Sequence, residues 1–237
     1  MLQAVAIIPA RGGSKGIPGK NLIDFCGKPL IAWSIEQALG APGISSVWVT
    51  SDSEEILSVA SKFGAQTIVR PKEISGDTAT SESAWLHALD EIESKKGKSD
   101  LVVAMQATSP LRESSDLNRG LKDLEEGGFD SLFSCGPLED FFIWGRDSKG
   151  ELESRTYDYK NRKRRQDITE QYVENGSFYI FKPWVLRELN NRLGGKIGLT
   201  KMEFWKTFEI DSLKSLEMCE ALMNHYLIKK KDKVYER

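Results

Sequence analysis

The sequence predicts an α/β fold, Rossmann-like, with a mostly parallel sheet covered by helices. Three observations carry that prediction. Short β-rich runs alternate with longer helix-patterned ones over the first 135 residues, and such alternation implies crossover connections between parallel strands. Two of the runs, residues 4–8 and Leu101–Met105, are apolar throughout, as in strands buried on both faces. Polar clusters follow each of the first four strands, where a parallel sheet gathers its ligand-binding loops.

The first strand, residues 4–8, is bounded by Pro9 and followed by a loop to Asn21; a helix then starts at Pro29, with proline at its first position. Residues 46–50 form the second strand, after which Ser51, Asp52 and Ser53 offer caps for a helix over 54–63 that Gly64 ends. Gln66–Val69 is a third strand broken by Arg70 and Pro71, and residues 83–92 are amphipathic at helical spacing. After the fourth strand, Leu101–Met105, a helix over 114–126 stops at Gly127-Gly128, and residues 130–135 read as another strand. Residues 137–171 lose any regular period and mix aromatics with the basic run Arg162-Lys163-Arg164-Arg165, so they read as an excursion from the sheet. The pattern returns with a strand at 175–181 and a helix opened by Pro183. Residues 204–210 are the last strand candidate, ending in Glu209-Ile210-Asp211, where alternation would put both carboxylates on one side. Ser212 caps a final helix to 227, and a charge run closes the chain. The whole, 1–237, reads as one domain with 137–171 inserted.

The loop after the first strand holds Gly12, Gly13, Gly16 and Gly19 together with Arg11, Lys15 and Lys20. Glycine lets backbone N–H groups approach an anion closely, and backbone donors combined with three cations describe a polyphosphate site. The two familiar phosphate loops do not fit. A Walker loop has four residues between its first glycine and Gly-Lys, whereas five separate Gly13 from Gly19-Lys20 here and Asn21 follows. The dinucleotide pattern G-x-G-x-x-G is absent, and Pro18 opposes an early helix start.

The 237 residues suffice for a full core, and the net charge of -2 argues against a dedicated nucleic-acid or membrane-surface protein. Cys26, Cys135 and Cys219 lack metal-type spacing and suit a reducing compartment. With no apolar run near the roughly 20 residues of a membrane span and no leader pattern, the expectation is a soluble, cytoplasmic protein. His87 and His225 fall within helices and are not expected to be catalytic.

Arg11-x-x-Ser14-Lys15-Gly16-x-Pro18-x-Lys20-Asn21 resembles the signature loop of the CMP-sialic acid synthetases, or acylneuraminate cytidylyltransferases. The related enzymes for the eight-carbon acid KDO carry Arg-Leu-Pro-Gly-Lys-Pro there, which favours the nine-carbon branch. The resemblance implies a nucleotidyltransferase domain that joins CTP to a nine-carbon 2-keto sugar acid and releases pyrophosphate, with sialic acid the first expectation, legionaminic or pseudaminic acid the rivals and KDO a more distant option; a nucleotide-binding module without chemistry is the rival of a different class. Arg11, Lys15 and Lys20 would act on the triphosphate, with Gly12, Gly13 and Ser14 around it. Asn21, Arg70, Ala79 and Ser81 would line the cytidine pocket. Gln106, Thr108 and Ser109 would meet the sugar acid, while Arg112 in the same loop would do so or be structural. The sugar-side motif of the family is matched by Arg165-Gln166-Asp167 and Glu174-Asn175-Gly176, so Arg165 is the expected carboxylate ligand, Arg164 the runner-up, with Gln166 and Asn175 beside it. Magnesium is the expected metal, held by Glu209 and Asp211. The family more often has aspartate at both positions, and Glu209 departs from that. Asp211 is also expected at the catalytic hydroxyl, and Asp52 is either an assisting carboxylate or a helix cap. Segment 137–171 would be a dimerisation element that helps cover the partner's sugar pocket, its aromatics suited to an interface core.

Overall fold

A computed structural model describes residues 3–14, 16–138, 141–164 and 167–229. In chain order its elements are β1 (Ala4–Pro9), β2 (Asp24–Phe25), β3 (Lys28–Pro29), α1 (Leu30–Leu39), β4 (Ile44–Ser51), α2 (Glu54–Lys62), β5 (Gln66–Val69), α3 (Ser81–Lys96) and β6 (Leu101–Met105). The second half contributes α4 (Ser114–Gly127), β7 (Ser131–Pro137), β8 (Trp144–Arg146), β9 (Leu152–Ser154), β10 (Tyr172–Phe181), α5 (Pro183–Leu189), β11 (Ile197–Lys201) and α6 (Leu213–Met223).

Seven strands make one sheet in the order β11-β7-β10-β6-β1-β4-β5. All neighbouring pairs are parallel except those of β10, which runs antiparallel to both β6 and β7. The sheet is therefore mixed and mostly parallel, as its crossover pattern predicts. Strand alternation divides the core. Ala4, Ala6, Ile8, Val103 and Met105 pack on one face with Ile31 and Ile35 of α1, Ile56 of α2 and Leu117 of α4. Val5, Ile7, Val102 and Ala104 face the other way onto Trp85 and Leu89 of α3 and Val185 and Leu186 of α5. A smaller cluster of Ile17, Phe25, Leu30, Leu111, Ile210 and Cys219 fastens the glycine-rich loop and α6 to the rim.

The expected strand over 204–210 does not form. Phe204–Thr207 is a 3-10 turn, and the last strand is instead Ile197–Lys201, paired parallel with β7. The reason lies in Lys206, whose side chain is 1 % exposed and whose ammonium sits 2.8 Å from Glu113, 2.8 Å from Asp116 and 2.9 Å from Glu203. Satisfying a buried cation with carboxylates at the start of α4 curls the segment inward rather than letting it extend. Glu209 and Asp211 consequently do not share a strand face. The excursion is also more ordered than its sequence suggests, since β8 and β9 pair as a short antiparallel hairpin.

Candidate active site

The carboxyl ends of β1, β5 and β6 converge on a cleft of about 420 Å³. Arg11, Ser14, Lys20, Asn21, Arg70, Ala79, Ser81, Gln106, Thr108 and Asp211 all line it, so loops far apart in sequence meet at one rim. Parallel pairing is what brings them there: Pro9 lies beside Thr50, and the Ala10 amide donates to the Thr50 carbonyl at 3.0 Å.

The glycine-rich loop is held from three sides. Gly12 N–H donates to Asp52 Oδ1 at 3.0 Å, while Ser53, not Asp52, caps α2 by accepting from the Ile56 amide. Asp52 thus supports the loop and also lies 3.8 Å from the buried Arg70 guanidinium. Asn21 is nearly buried and donates to the Arg11 carbonyl at 3.0 Å, fixing the turn where Gly19 adopts φ +66°. At the loop's far end Lys20 Nζ donates to the Ile210 carbonyl and to Asp211 Oδ1, each at 3.0 Å. Ile210 N–H in turn donates to the Thr108 carbonyl at 2.9 Å, and a side chain on Gly16 would strike the Asp211 carbonyl at 2.6 Å. The phosphate-type loop is therefore packed directly against the carboxylate segment.

The electrostatics are correspondingly mixed. Arg11 pairs with Asp77 at 3.1 Å, and Arg70 Nε donates to Ser75 Oγ at 3.0 Å. Burial lowers the Arg70 pKa, the charge of Asp52 opposing it and that of Arg11 adding to it. Glu209 is pushed the other way: burial first, then the neighbouring Asp211 charge, hold its carboxyl above the ordinary glutamate value, against Lys20, Arg112 and a hydrogen bond with Thr108. Among the described residues no group of three His, Cys, Asp or Glu side chains is placed to hold a metal alone. Of the two expected metal ligands Asp211 lines the cleft and Glu209 does not, though the Asp211 charge acts on Glu209; magnesium, if bound there, would take one or both carboxylates and complete its shell with phosphate oxygens and water.

Other expected site residues lie elsewhere. Asn175 is 2 % exposed and faces the interior, its Oδ1 accepting from Ser134 Oγ at 2.6 Å and from the Ser177 amide at 3.1 Å. It shapes the bulge in β10 rather than lining the cleft. Ser109 is buried with no hydrogen-bond partner for its hydroxyl among the described residues, and Arg112 is buried with neutral partners. Gly12 and Gly13 belong to the loop but do not line the cleft. Lys15, Arg165 and Gln166 lie outside the described residues. Sequence reasoning overlooked the ties made by Asp77, Ser75 and Lys206; only the nearness of Asp77 to Ala79 and Ser81 signalled any of them.

The chain resembles known proteins over most of its length. The family described as Cytidylyltransferase matches residues 5–236. Pseudaminic acid cytidylyltransferase of Campylobacter jejuni serotype O:23/36 is 33% identical over 233 residues, 94% of this chain and 98% of that protein. N-acylneuraminate cytidylyltransferase A of Danio rerio is 36% identical over 209 residues, covering 87% of this chain but 47% of the fish protein. Among solved structures, a CMP:2-keto-3-deoxy-manno-octonic acid synthetase complexed with CTP superposes with TM-score 0.72 at 20% identity, over 95% of this chain and 100% of that one, a likeness of fold. The loop, the sheet beneath it and the match across nearly the whole chain lead to one assignment: the chain belongs to the cytidylyltransferase family.

Proposed function

We propose that this protein joins CTP to a nine-carbon 2-keto sugar acid, N-acetylneuraminic acid first, forming the CMP-sugar and pyrophosphate. The observation that carries the reading is the contact of Lys20 with Asp211 at the mouth of the cleft, which sets a phosphate loop against a carboxylate pair. Arg11, Lys15 and Lys20, with the backbone of Gly12, Gly13 and Ser14, bind the triphosphate. Asn21, Arg70, Ala79 and Ser81 hold the cytidine. Gln106 and Thr108 face the sugar acid, whose carboxylate takes Arg165 with Gln166 nearby. The sugar hydroxyl oxygen attacks the α-phosphorus, the bond to the β-phosphate oxygen breaks, and the hydroxyl proton leaves toward the carboxylates beside Asp211. Little covalent work falls to the protein, so positioning and charge carry the rate. Glu209 and Asp211 would hold magnesium, which when bound neutralises charge on the phosphate oxygens.

Pseudaminic acid is the second reading, favoured by a match that spans 98% of the Campylobacter enzyme. Legionaminic acid and KDO follow. The reading includes a cytoplasmic homodimer, one domain per chain, with 137–171 inserted at the contact between copies. The test is pyrophosphate release from CTP and magnesium with N-acetylneuraminic, pseudaminic, legionaminic and KDO acids supplied separately, each component omitted in turn. Release that depends on one acid identifies the substrate; silence with all four overturns the reading.

A further inference from the structure

Arg112 takes no part in the chemistry above, and its surroundings are unusual for an arginine. It is 1 % exposed, and none of its hydrogen-bond acceptors is a carboxylate. Nε donates to Gln37 Oε1 at 3.0 Å, Nη1 to the Ser177 carbonyl and to Ser177 Oγ, and Nη2 to Ser34 Oγ and to the Gln106 carbonyl at 2.7 Å. Every guanidinium hydrogen is used. Enclosing a cation among neutral groups is expensive, and burial pushes its pKa down to about 9 despite the charges of Asp116 and Glu209.

The acceptors fall into two sets. Ser34 and Gln37 lie on α1, within the core, whereas Gln106 and Ser177 sit where β6 and β10 reach the rim. Those two are already joined, since Gln106 N–H donates to the Ser177 carbonyl at 3.2 Å. Without Arg112 the Gln106 carbonyl would keep only a 3.4 Å contact from the Ser109 amide. The side chain of Gln106 lines the cleft, and Gly176, next to Ser177, holds φ +64° in a turn so close to Glu209 that a Cβ would stand 2.4 Å from its Oε1. None of Arg112's bonds reaches Arg11, Asn21, Arg70 or Asp52.

We propose that Arg112 is a positioning residue for the sugar-acid half of the cleft, fixing Gln106 and the Gly176 turn through their backbone while leaving the nucleotide half untouched. The inference rests on the reaction proposed above only for naming that half as the sugar's.

Two serines on the same guanidinium separate this role from plain stability. Ser177→Ala removes the rim-side hydroxyl and Ser34→Ala the helix-side one. Ser177→Ala is expected to raise KM for the accepted acid about three- to tenfold with KM for CTP unchanged, since the guanidinium loses one charge-assisted hydrogen bond but keeps the Ser177 carbonyl. Ser34→Ala lowers the melting temperature and leaves both KM values alone. Arg112→Lys, with fewer donors, shifts KM in the direction of Ser177→Ala and further; should it not fold, the serine pair decides. Amide exchange supplies a readout free of turnover, with peptides covering 104–108 and 174–178 exchanging faster in Ser177→Ala and not in Ser34→Ala. Equal KM changes for acid and CTP, or identical exchange in the two variants, overturn the proposal. If wild-type protein releases no pyrophosphate with any acid, the reaction is misread, and the exchange comparison still decides the role of Arg112.

Discussion

Lys20 is the residue that ties the glycine-rich loop to the acidic segment, and its ion pair is placed where it adds little to stability. Its partner Asp211 has a side chain 73% exposed, and pairs that meet water contribute little to folding. Lys20→Ala is therefore expected to lower kcat for pyrophosphate release by about 10²–10³-fold, the loss typical of a removed transition-state donor, with the melting temperature nearly unchanged. Steady-state kinetics beside a thermal melt check both halves. Glu209 should behave oppositely. Burial and the Asp211 charge raise its pKa in the folded chain above the 4.5 of an ordinary glutamate. The folded state then binds that proton more tightly than the unfolded state does, so this group's contribution falls as pH rises from 4.5 through the raised value, and above that value it is a standing cost. Glu209→Gln removes the ionised carboxylate: in metal-free buffer it should melt higher than wild type at neutral pH, the gap closing as pH falls toward 4.5, while activity drops. A lower melting temperature at neutral pH would count against this account.

Elements differ in how openly the sequence displays them. Leu101–Met105 is read to the residue because it is an apolar run with polar residues on both sides, and Gln66–Val69 because Gly64 and Arg70-Pro71 bound a short β-rich run. The convergence of three of the four expected loop clusters on one cleft was legible too, since it follows from parallel topology, whereas Asp52 after the second strand supports the glycine-rich loop without lining the cleft. The misreading of 204–210 has a physical cause. Phe204, Trp205, Phe208 and Ile210 look like a strand, but Phe204 stacks on Phe141 at 5.4 Å and Lys206 enters a pocket of acids brought from α4, and neither partner is local in sequence. Short β11 escaped notice because Gly198 and flanking polar residues dilute its β character. Asn175 was misplaced for a similar reason, its motif marking a bulge whose inward side only tertiary structure decides. The Lys206 cluster yields its own test. Asp116 is as buried as Lys206, both side chains 1 % exposed, and Lys206→Met would leave it with the half-exposed Arg119 as its remaining cation, so the change should cost about 2–3 kcal/mol. Urea unfolding monitored by tryptophan fluorescence measures it; a loss below about 1 kcal/mol would mean that the acids find water instead.

Among the described residues, several exposed large hydrophobics of the molecule lie together on the excursion. Phe141, Ile143, Trp144, Leu152 and Tyr159 are each at least 42% exposed, while Trp144 contacts both Tyr159 and Tyr157 with centroids 5.2 and 6.0 Å away. Arg162 lies over Phe142, its guanidinium 4.6 Å from the ring centroid. Contiguous apolar surface of this kind, with aromatics and arginine and a basic rim, has the composition of an interface core rather than of ordinary protein surface. A two-stranded hairpin as short as β8–β9 is marginal alone, so packing against a second copy would steady it as well as cover it. Sedimentation at micromolar concentration should therefore give a dimer, and Trp144→Glu together with Leu152→Glu should give a monomer. Both positions are distant in sequence from the loop that carries Lys20, so the monomer should still bind CTP within about twofold of wild type; if residues 137–171 also cover the neighbouring copy's sugar site, its KM for the acid should rise while KM for CTP holds. A wild-type monomer at these concentrations would leave the apolar hairpin without its partner and remove the reason to place any part of the site across two chains.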